Sequence, residues 1–235
     1  KLKIEGNGMI TQMGGSFKAK NIKFLNLKNV KVEGLNWSGS INAINSIVNI
    51  KNVDLVSSEG EDAINLVGSN SYIENLKIYN SQSDAIDVDF GKLIFTKIYC
   101  FKALNDCLDT SGAFVEGNYL YGEKIGDKLA SFGEKSNIKI KAVAGKNIKI
   151  GVVSKDESIV VVKNLNLENT KIYGGSYIKK PFFNEALLNI DTLENFTNEK
   201  KIKDIFFNSD KNILIVNKKN LQANKDSIEI LNLLN

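Results

Sequence analysis

The chain has 235 residues, of which 43% are hydrophobic and 25% are charged, and its formal net charge is +4. This composition is too apolar for a disordered chain, while the apolar runs, such as Ile159 to Val162, are too short to span a bilayer. All basic residues are lysines, scattered along the chain, and there is no arginine or histidine. A nucleic-acid-binding function is therefore disfavoured, because such proteins use arginine for phosphate and base contacts.

Four short segments of similar sequence recur in the first half of the chain: residues 42–45, 62–65, 84–87 and 106–109. Their apolar residues recur every 20 or 22 positions, at Ile44, Ile64, Ile86 and Leu108, and steps of 22 then reach Ala130, Val152 and Gly174 or Gly175. A regular period in this range is typical of a solenoid, in which each repeat packs only on its neighbours.

Between these segments lie runs of two to five residues that often alternate apolar and polar side chains, namely 22–25, 47–50, 72–76, 93–95 and 138–140. They are bounded by Asn, Gly, Ser or Asp, which is typical of short strands and turns. Proline occurs once, at Pro181, so the backbone donors are free to join a continuous ladder. The regular leucine scaffold of leucine-rich repeats is missing. The sequence therefore predicts an all-β fold, a right-handed parallel β-helix with coils of about 22 residues.

Two parts of the chain differ in periodicity. We assign residues 1–181 to the parallel β-helix coils, and residues 182–235 to a last irregular coil and a C-terminal cap. The pattern of apolar and polar residues at 226–234 predicts a short amphipathic helix in that cap, with Asp226 or Ser227 as its N-cap.

The N-terminal coil shows no comparable cover. The chain begins Lys1-Leu2-Lys3-Ile4, without an initiator Met or an apolar leader, so we expect a fragment of a larger protein. An uncovered solenoid end exposes core and backbone groups, and we therefore expect another domain or surface protein to contact it. The two cysteines, Cys100 and Cys107, are interpreted as small core residues and not as a disulfide.

An acidic outer face follows from the repeat. If the apolar residues of the repeat point inward, their next neighbours point outward, because side chains alternate along a strand. This places Asn65, Asp87, Asp109, Ser131 and Val153 in one outer column, with Asp89 and Lys155 two residues further on. A second column near the preceding turn holds Asn42, Asp62, Asp84, Asp106 and Asp127.

Stacked carboxylates repel one another, so they share a proton, take up a cation or pair with lysine. As catalytic candidates we select Asp84, Asp87, Asp106, Asp109 and Lys155. Two carboxylates flanking a sugar can act as acid and base in a glycoside hydrolase. In a polysaccharide lyase, Asp-bound calcium can instead acidify a uronate while a lysine removes its proton. As substrate-binding candidates we select Asp89, Lys128, Tyr177 and Lys179. As ligands for calcium we select Asp87, Asp89 and Asp109. The alternative, which applies best to the turn column, is that these side chains bond neighbouring backbone amides and are architectural.

Residues 37–181 resemble the β-helix region of bacterial surface proteins that often follows a CotH-like domain. The resemblance rests on an ordered series of motifs, at 37–41, 61–65, 83–90, 105–112, 125–128, 133–136, 154–156 and 177–181. It implies the pectate-lyase-like superfamily and an extracytoplasmic, bacterial setting. Asp84 and Asp106 also match, more loosely, the first two Asp motifs of polygalacturonases. Their His is replaced here by Gly126-Asp127-Lys128, and their Arg is missing.

Two functions of different classes follow. The first is a secreted or surface β-helix that binds, and can process, a polysaccharide along its Asp-rich face. The second is a non-catalytic scaffold, assembly or adhesion module whose Asp and Asn ladders are architectural. The absence of His and Arg disfavours most known catalytic mechanisms, while acids on an open strand disfavour a purely structural role.

Overall fold

The computed structural model describes residues 1–30, 37–194, 202, 204–209 and 211–224. These residues form a parallel β-solenoid whose coils are about 22 residues apart, as predicted. No helix in the described ranges is long and apolar enough to cross a membrane.

The strands occur in the following order, β1 to β19: Leu2–Glu5, Ile10–Met13, Ser16–Lys20, Ile22–Leu25, Gly39–Ile44, Ile47–Lys51, Val53–Ser58, Asp62–Val67, Asn70–Ser81, Asp84–Asp89, Lys92–Ala103, Leu108–Ser111, Phe114–Gly133, Asn137–Lys155, Ile159–Tyr177, Leu187–Leu193, Phe206–Asn208, Ile213–Val216 and Lys219–Leu221.

The strands stack into three parallel ladders. Ladder 1 contains β2, β5, β8, β10 and β12, continues through the last parts of β13, β14 and β15, and ends with β17. Ladder 2 begins with β3 and β6, continues through the first parts of β9, β11, β13, β14, β15 and β16, and ends with β18. Ladder 3 begins with β1, β4 and β7 and continues through the later parts of β9, β11, β13, β14 and β15. Equivalent residues therefore lie one strand spacing apart, about 4.8 Å.

The predicted column of inward residues is confirmed from Ile64 onward. Ile64 pairs with Ile86, which pairs with Leu108, and the series continues through Ala130, Val152 and Gly174. Ile86, Leu108, Ala130 and Val152 have no exposed surface. A buried aliphatic side chain contributes about 1.5–3 kcal/mol relative to an exposed one, so this column is a major part of the core.

The predicted register of the first repeat is wrong by three residues. Ile64 pairs with Ile41 and not with Ile44, and Asn42 pairs with Asn65. The reason is that Asn45 does not continue the strand, because its φ of 49° places it in the left-handed region at the corner of the coil. The similar sequences of the two segments therefore occupy different parts of their coils.

The cysteines form a disulfide, which corrects their interpretation as separate core residues. Cys100 in ladder 3 is bonded to Cys107, and both are fully buried. The bridge spans the corner that leads from β11 to β12, which carries Asn105 and Asp106. It therefore covalently closes the corner before the acidic strand β12.

Parallel pairing continues beyond residue 181. Strand β16 pairs with β15 and then with β18, after steps of 28 and 26 residues at Ile159, Leu187 and Ile213. Strand β19 pairs with β18 in the antiparallel direction. The predicted helix at 226–234 lies outside the described residues.

Candidate functional site

The outer side of ladder 1 carries the predicted column of acids. In β10, Ile86 and Val88 are fully buried, whereas Asp87 and Asp89 are half-buried on the opposite side of the strand. Asp87 is in register with Asn65 on one side and with Asp109 on the other. We call the outer side of ladder 1 from Asp62 to Asp109 the acidic face; its acids are Asp62, Asp84, Asp87, Asp89, Asp106 and Asp109.

The acids at the preceding corner bond backbone amides, as the architectural alternative predicted. Asp84 Oδ1 accepts hydrogen bonds from the backbone N–H of Asp106 and from Asn105 Nδ2, each at 2.7 Å. Asp106 Oδ1 accepts the backbone N–H of Lys128 at 2.8 Å. The position after Asp106 in this column is Lys128, so the assignment of Asp127 to it is wrong by one residue. Asp84 and Asp106 therefore fix the corners that position the acidic strands.

Proton affinity is high on this face because the carboxyls are desolvated and close together. Burial, together with Asp89, Asp62 and Asp109, raises the pKa of Asp87 to about 9. Burial is also the main cause that raises the pKa of Asp62 and Asp84 to about 6 each. The pKa of Asp89 is raised by burial and by Asp109. Asp87 consequently carries its proton at neutral pH.

Burial raises the pKa of Asp106 to about 7, although the nearby Lys128 ammonium opposes this rise. Burial alone would lower the pKa of Lys128, but the charges of Asp106 and Asp127 raise it. Lys128 Nζ lies 3.7 Å from Asp106 Oδ1 and is also ion-paired with Asp127. Lys128 thus compensates the charges of this corner.

Lys155 is the ionic partner of Asp109. Its side chain is buried, and Nζ donates to Ser131 Oγ at 2.9 Å and lies 3.6 Å from Asp109 Oδ1. The side chain reaches across the preceding coil over Gly133, where an added Cβ would lie 2.6 Å from Lys155 Cε. An isolated glycine inside a strand indicates such a close approach, so Gly133 could have been found from the sequence. Asp109 has an ammonium partner, whereas Asp87 has carboxyl neighbours.

Lys179 lies on the loop that follows β15, at the end of the acidic face. Asp156 Oδ1 holds this loop by accepting the backbone N–H groups of Lys179 and Lys180 at 2.7 and 2.8 Å. The neighbouring Lys155 charge, partial burial and Lys128 lower the pKa of Lys179. Lys180 is ion-paired with Glu134, so Lys179 is the exposed ammonium at this end of the candidate site.

Tyr177, a substrate-binding candidate, is buried, so its ring is not available to a ligand in this structure. Only 2% of its surface is exposed, and its ring packs against Phe207 with the centroids 5.6 Å apart. The exposed aromatic beside the acidic face is Phe90, which follows Asp89 and is 70% exposed. Phe90 has a φ of 53° and its ring lies over Gly112, where a Cβ would be 2.9 Å from Phe90 Cδ1. The sequence did not single out Phe90 as a site residue, because an aromatic residue that follows an alternating strand usually belongs to the hydrophobic core.

The prediction of a calcium site is not supported. Among the residues with described positions, no three His, Cys, Asp or Glu side chains are grouped so that they could hold a metal ion. Asp87, Asp89 and Asp109 nevertheless share one face of ladder 1.

Two surface cavities, of about 510 and 450 Å³, lie on ladder 2 and contain none of the candidate residues. Comparison of the chain with family models, with curated proteins and with solved structures gives no match.

Proposed function

We propose that the chain binds a polysaccharide along the acidic face and hydrolyses a glycosidic bond there, with Asp87 as the proton donor. The observation that carries this proposal is the contrast between two carboxyls in register. Asp87 holds a proton because it is desolvated among acids, whereas Asp109 lies 3.6 Å from the Lys155 ammonium. Two carboxyls in contrasting environments, one protonated and one ionised, are required for acid and nucleophile roles on one sugar.

In the proposed reaction Asp87 transfers its proton to the glycosidic oxygen. The bond between that oxygen and the anomeric carbon breaks, and its electron pair remains on the oxygen. The Asp109 carboxylate, one strand spacing from Asp87, forms a bond to the anomeric carbon as the glycosidic bond breaks. A water molecule then attacks the same carbon, gives a proton to the Asp87 carboxylate and releases Asp109. Lys155, whose Nζ also donates to Ser131 Oγ, is the ionic partner of Asp109. Phe90 offers an exposed ring on which a sugar can stack.

We propose an extracytoplasmic setting for the chain, in which the solenoid is a right-handed, pectate-lyase-like β-helix of a bacterial surface protein with a further domain at its N-terminal end. The disulfide between Cys100 and Cys107 supports the setting, because disulfides persist in oxidising compartments. The coil of about 22 residues and the three parallel ladders support the superfamily.

The proposal is tested with a panel of neutral, acidic and amino polysaccharides. Affinity electrophoresis measures binding, and the release of reducing ends measures hydrolysis. We expect binding and hydrolysis on at least one member, with hydrolysis lost in Asp87→Asn and in Asp109→Asn while binding by Asp87→Asn persists. Absence of both binding and hydrolysis across the panel would overturn the proposal.

A structural role is the second candidate, and ladders outside the acidic face favour it. The rings of Tyr79 and Phe101 stack with centroids 4.8 Å apart, and Asn75 Nδ2 donates to Asn52 Oδ1 at 3.2 Å on ladder 3. Such stacks stabilise neighbouring coils without any ligand. If the chain is only a scaffold, neutralising the acids should change stability alone. Loss of polysaccharide binding in Asp109→Asn or Phe90→Ala would therefore favour the binding function over the structural one.

A further inference from the structure

One half of the acidic face contains hydrogen-bond acceptors without cationic partners. Within the described part of the chain, no lysine is ion-paired with Asp62, Asp84, Asp87 or Asp89. The lysines of the site pair instead with acids further along the solenoid, such as Asp109. The charges of the site are thus separated along its length.

The buried amide of Asn65 adds an independent observation at the same place. Asn65 is 7% exposed and in register with Asp87. Its Nδ2 donates to Ser38 Oγ at 2.5 Å, while its Oδ1 is buried and has no hydrogen-bond partner. Ser38 is in turn hydrogen-bonded to Asp62. A buried acceptor without a donor is costly, and nearly all buried polar groups in native structures have a hydrogen-bond partner.

We propose that this half of the face binds the protonated amino group of an amino sugar, so that the polysaccharide carries free amines. An ammonium has three N–H donors and no acceptor, which matches Asn65 Oδ1 and the carboxyls of Asp87 and Asp62 or Asp89. This substrate class rests on the proposed function, since it concerns the same face.

The net charge of the whole chain does not attract a cationic polymer, so a preference for one has to come from the acidic face. The net charge is +4, so non-specific attraction would favour an anionic polymer and not a cationic one. A bound ammonium would also lower the pKa of Asp87 from about 9 towards neutrality, where a general acid works best. A divalent metal is the less suitable occupant, because no described group of three acids is placed to hold one.

The test compares two oligosaccharides of equal length, a glucosamine hexamer and its fully N-acetylated form, by isothermal titration calorimetry at about pH 6. We expect the amine form to bind roughly tenfold more tightly, because charge-assisted hydrogen bonds are stronger than neutral ones. The preference should fall in Asp62→Asn and in Asp89→Asn. It should persist in Asp191→Asn, which removes one negative charge on β16, outside the acidic face.

Equal or tighter binding of the acetylated form would overturn the proposal, and so would a preference that survives in both Asp62→Asn and Asp89→Asn. The hydrolysis assay separates this failure from failure of the proposed function. Cleavage of a neutral polysaccharide without an amine preference would remove the amino-sugar site alone. An amine preference that depends on these acids, without cleavage of any polysaccharide, would remove the hydrolytic step and retain the binding site.

Discussion

Replacement of Asp87 by Asn tests the electrostatic account of the acidic face. Asn keeps the shape of a protonated carboxyl but cannot ionise. In the folded chain the pKa of Asp87 is about 9, whereas its ordinary value is 3.8. The folded state therefore holds a proton that the unfolded chain releases above about pH 4.

The size of the effect follows from this difference. At pH 7 the unfolded carboxyl is about three pH units above its ordinary pKa, so keeping the proton on Asp87 costs on the order of 4 kcal/mol. The group has a raised pKa, so its stabilising contribution is complete below about pH 4 and is lost as the pH rises towards 9. Asp87→Asn removes this loss. We expect a gain of about 1 to 4 kcal/mol at pH 7, with the lower values arising because the neighbouring carboxyls share the effect.

The assay is urea unfolding of wild type and Asp87→Asn at pH 4, 7 and 8. The two proteins should have similar free energies of unfolding near pH 4 and should diverge as the pH rises. In thermal unfolding the gain corresponds to about 2–4 °C per kcal/mol for a chain of this size. The matched control is Glu116→Gln on ladder 2, an exposed acid outside the acidic face. A variant that is less stable than wild type at pH 8, or a difference that does not change with pH, would refute the reasoning.

Three further outcomes are expected. Cys100→Ala with Cys107→Ala should lower the free energy of unfolding by about 2–3 kcal/mol, from the chain entropy of a short closed loop; an unchanged urea midpoint would contradict this. Phe90→Ala should weaken polysaccharide binding in affinity electrophoresis by about three- to tenfold with an unchanged melting temperature, and unaltered binding would exclude the ring from the site. Gly117→Ala should lower the free energy of unfolding in urea by about 1–3 kcal/mol, because the added Cβ would overlap the buried ring of Phe95. Gly6→Ala is the control, since its Cβ meets no atom within 4 Å and should leave stability unchanged. Equal effects of the two substitutions would show that core packing is not responsible.

The sequence alone determined the solenoid and the position of its central acids. Strand alternation has a period of two and the coils repeat every 22 residues, so these two periods place Asp87 and Asp109 in one outer column. Because both periods are local properties of the chain, no tertiary information is needed. The sequence similarly indicated that Asp84 and Asp106 bond backbone amides at the corners.

The tertiary structure decided the features that depend on contacts between coils. Asn45 adopts a left-handed conformation at a corner, which shifts the register of the first repeat although its sequence resembles the later ones. Tyr177 is covered by Phe207 from a later strand, while Phe90 remains exposed beside the acids. Lys155 reaches Asp109 because Gly133 leaves room for its side chain. Each outcome depends on which side chain of another coil lies alongside, and a repeat period does not carry that information.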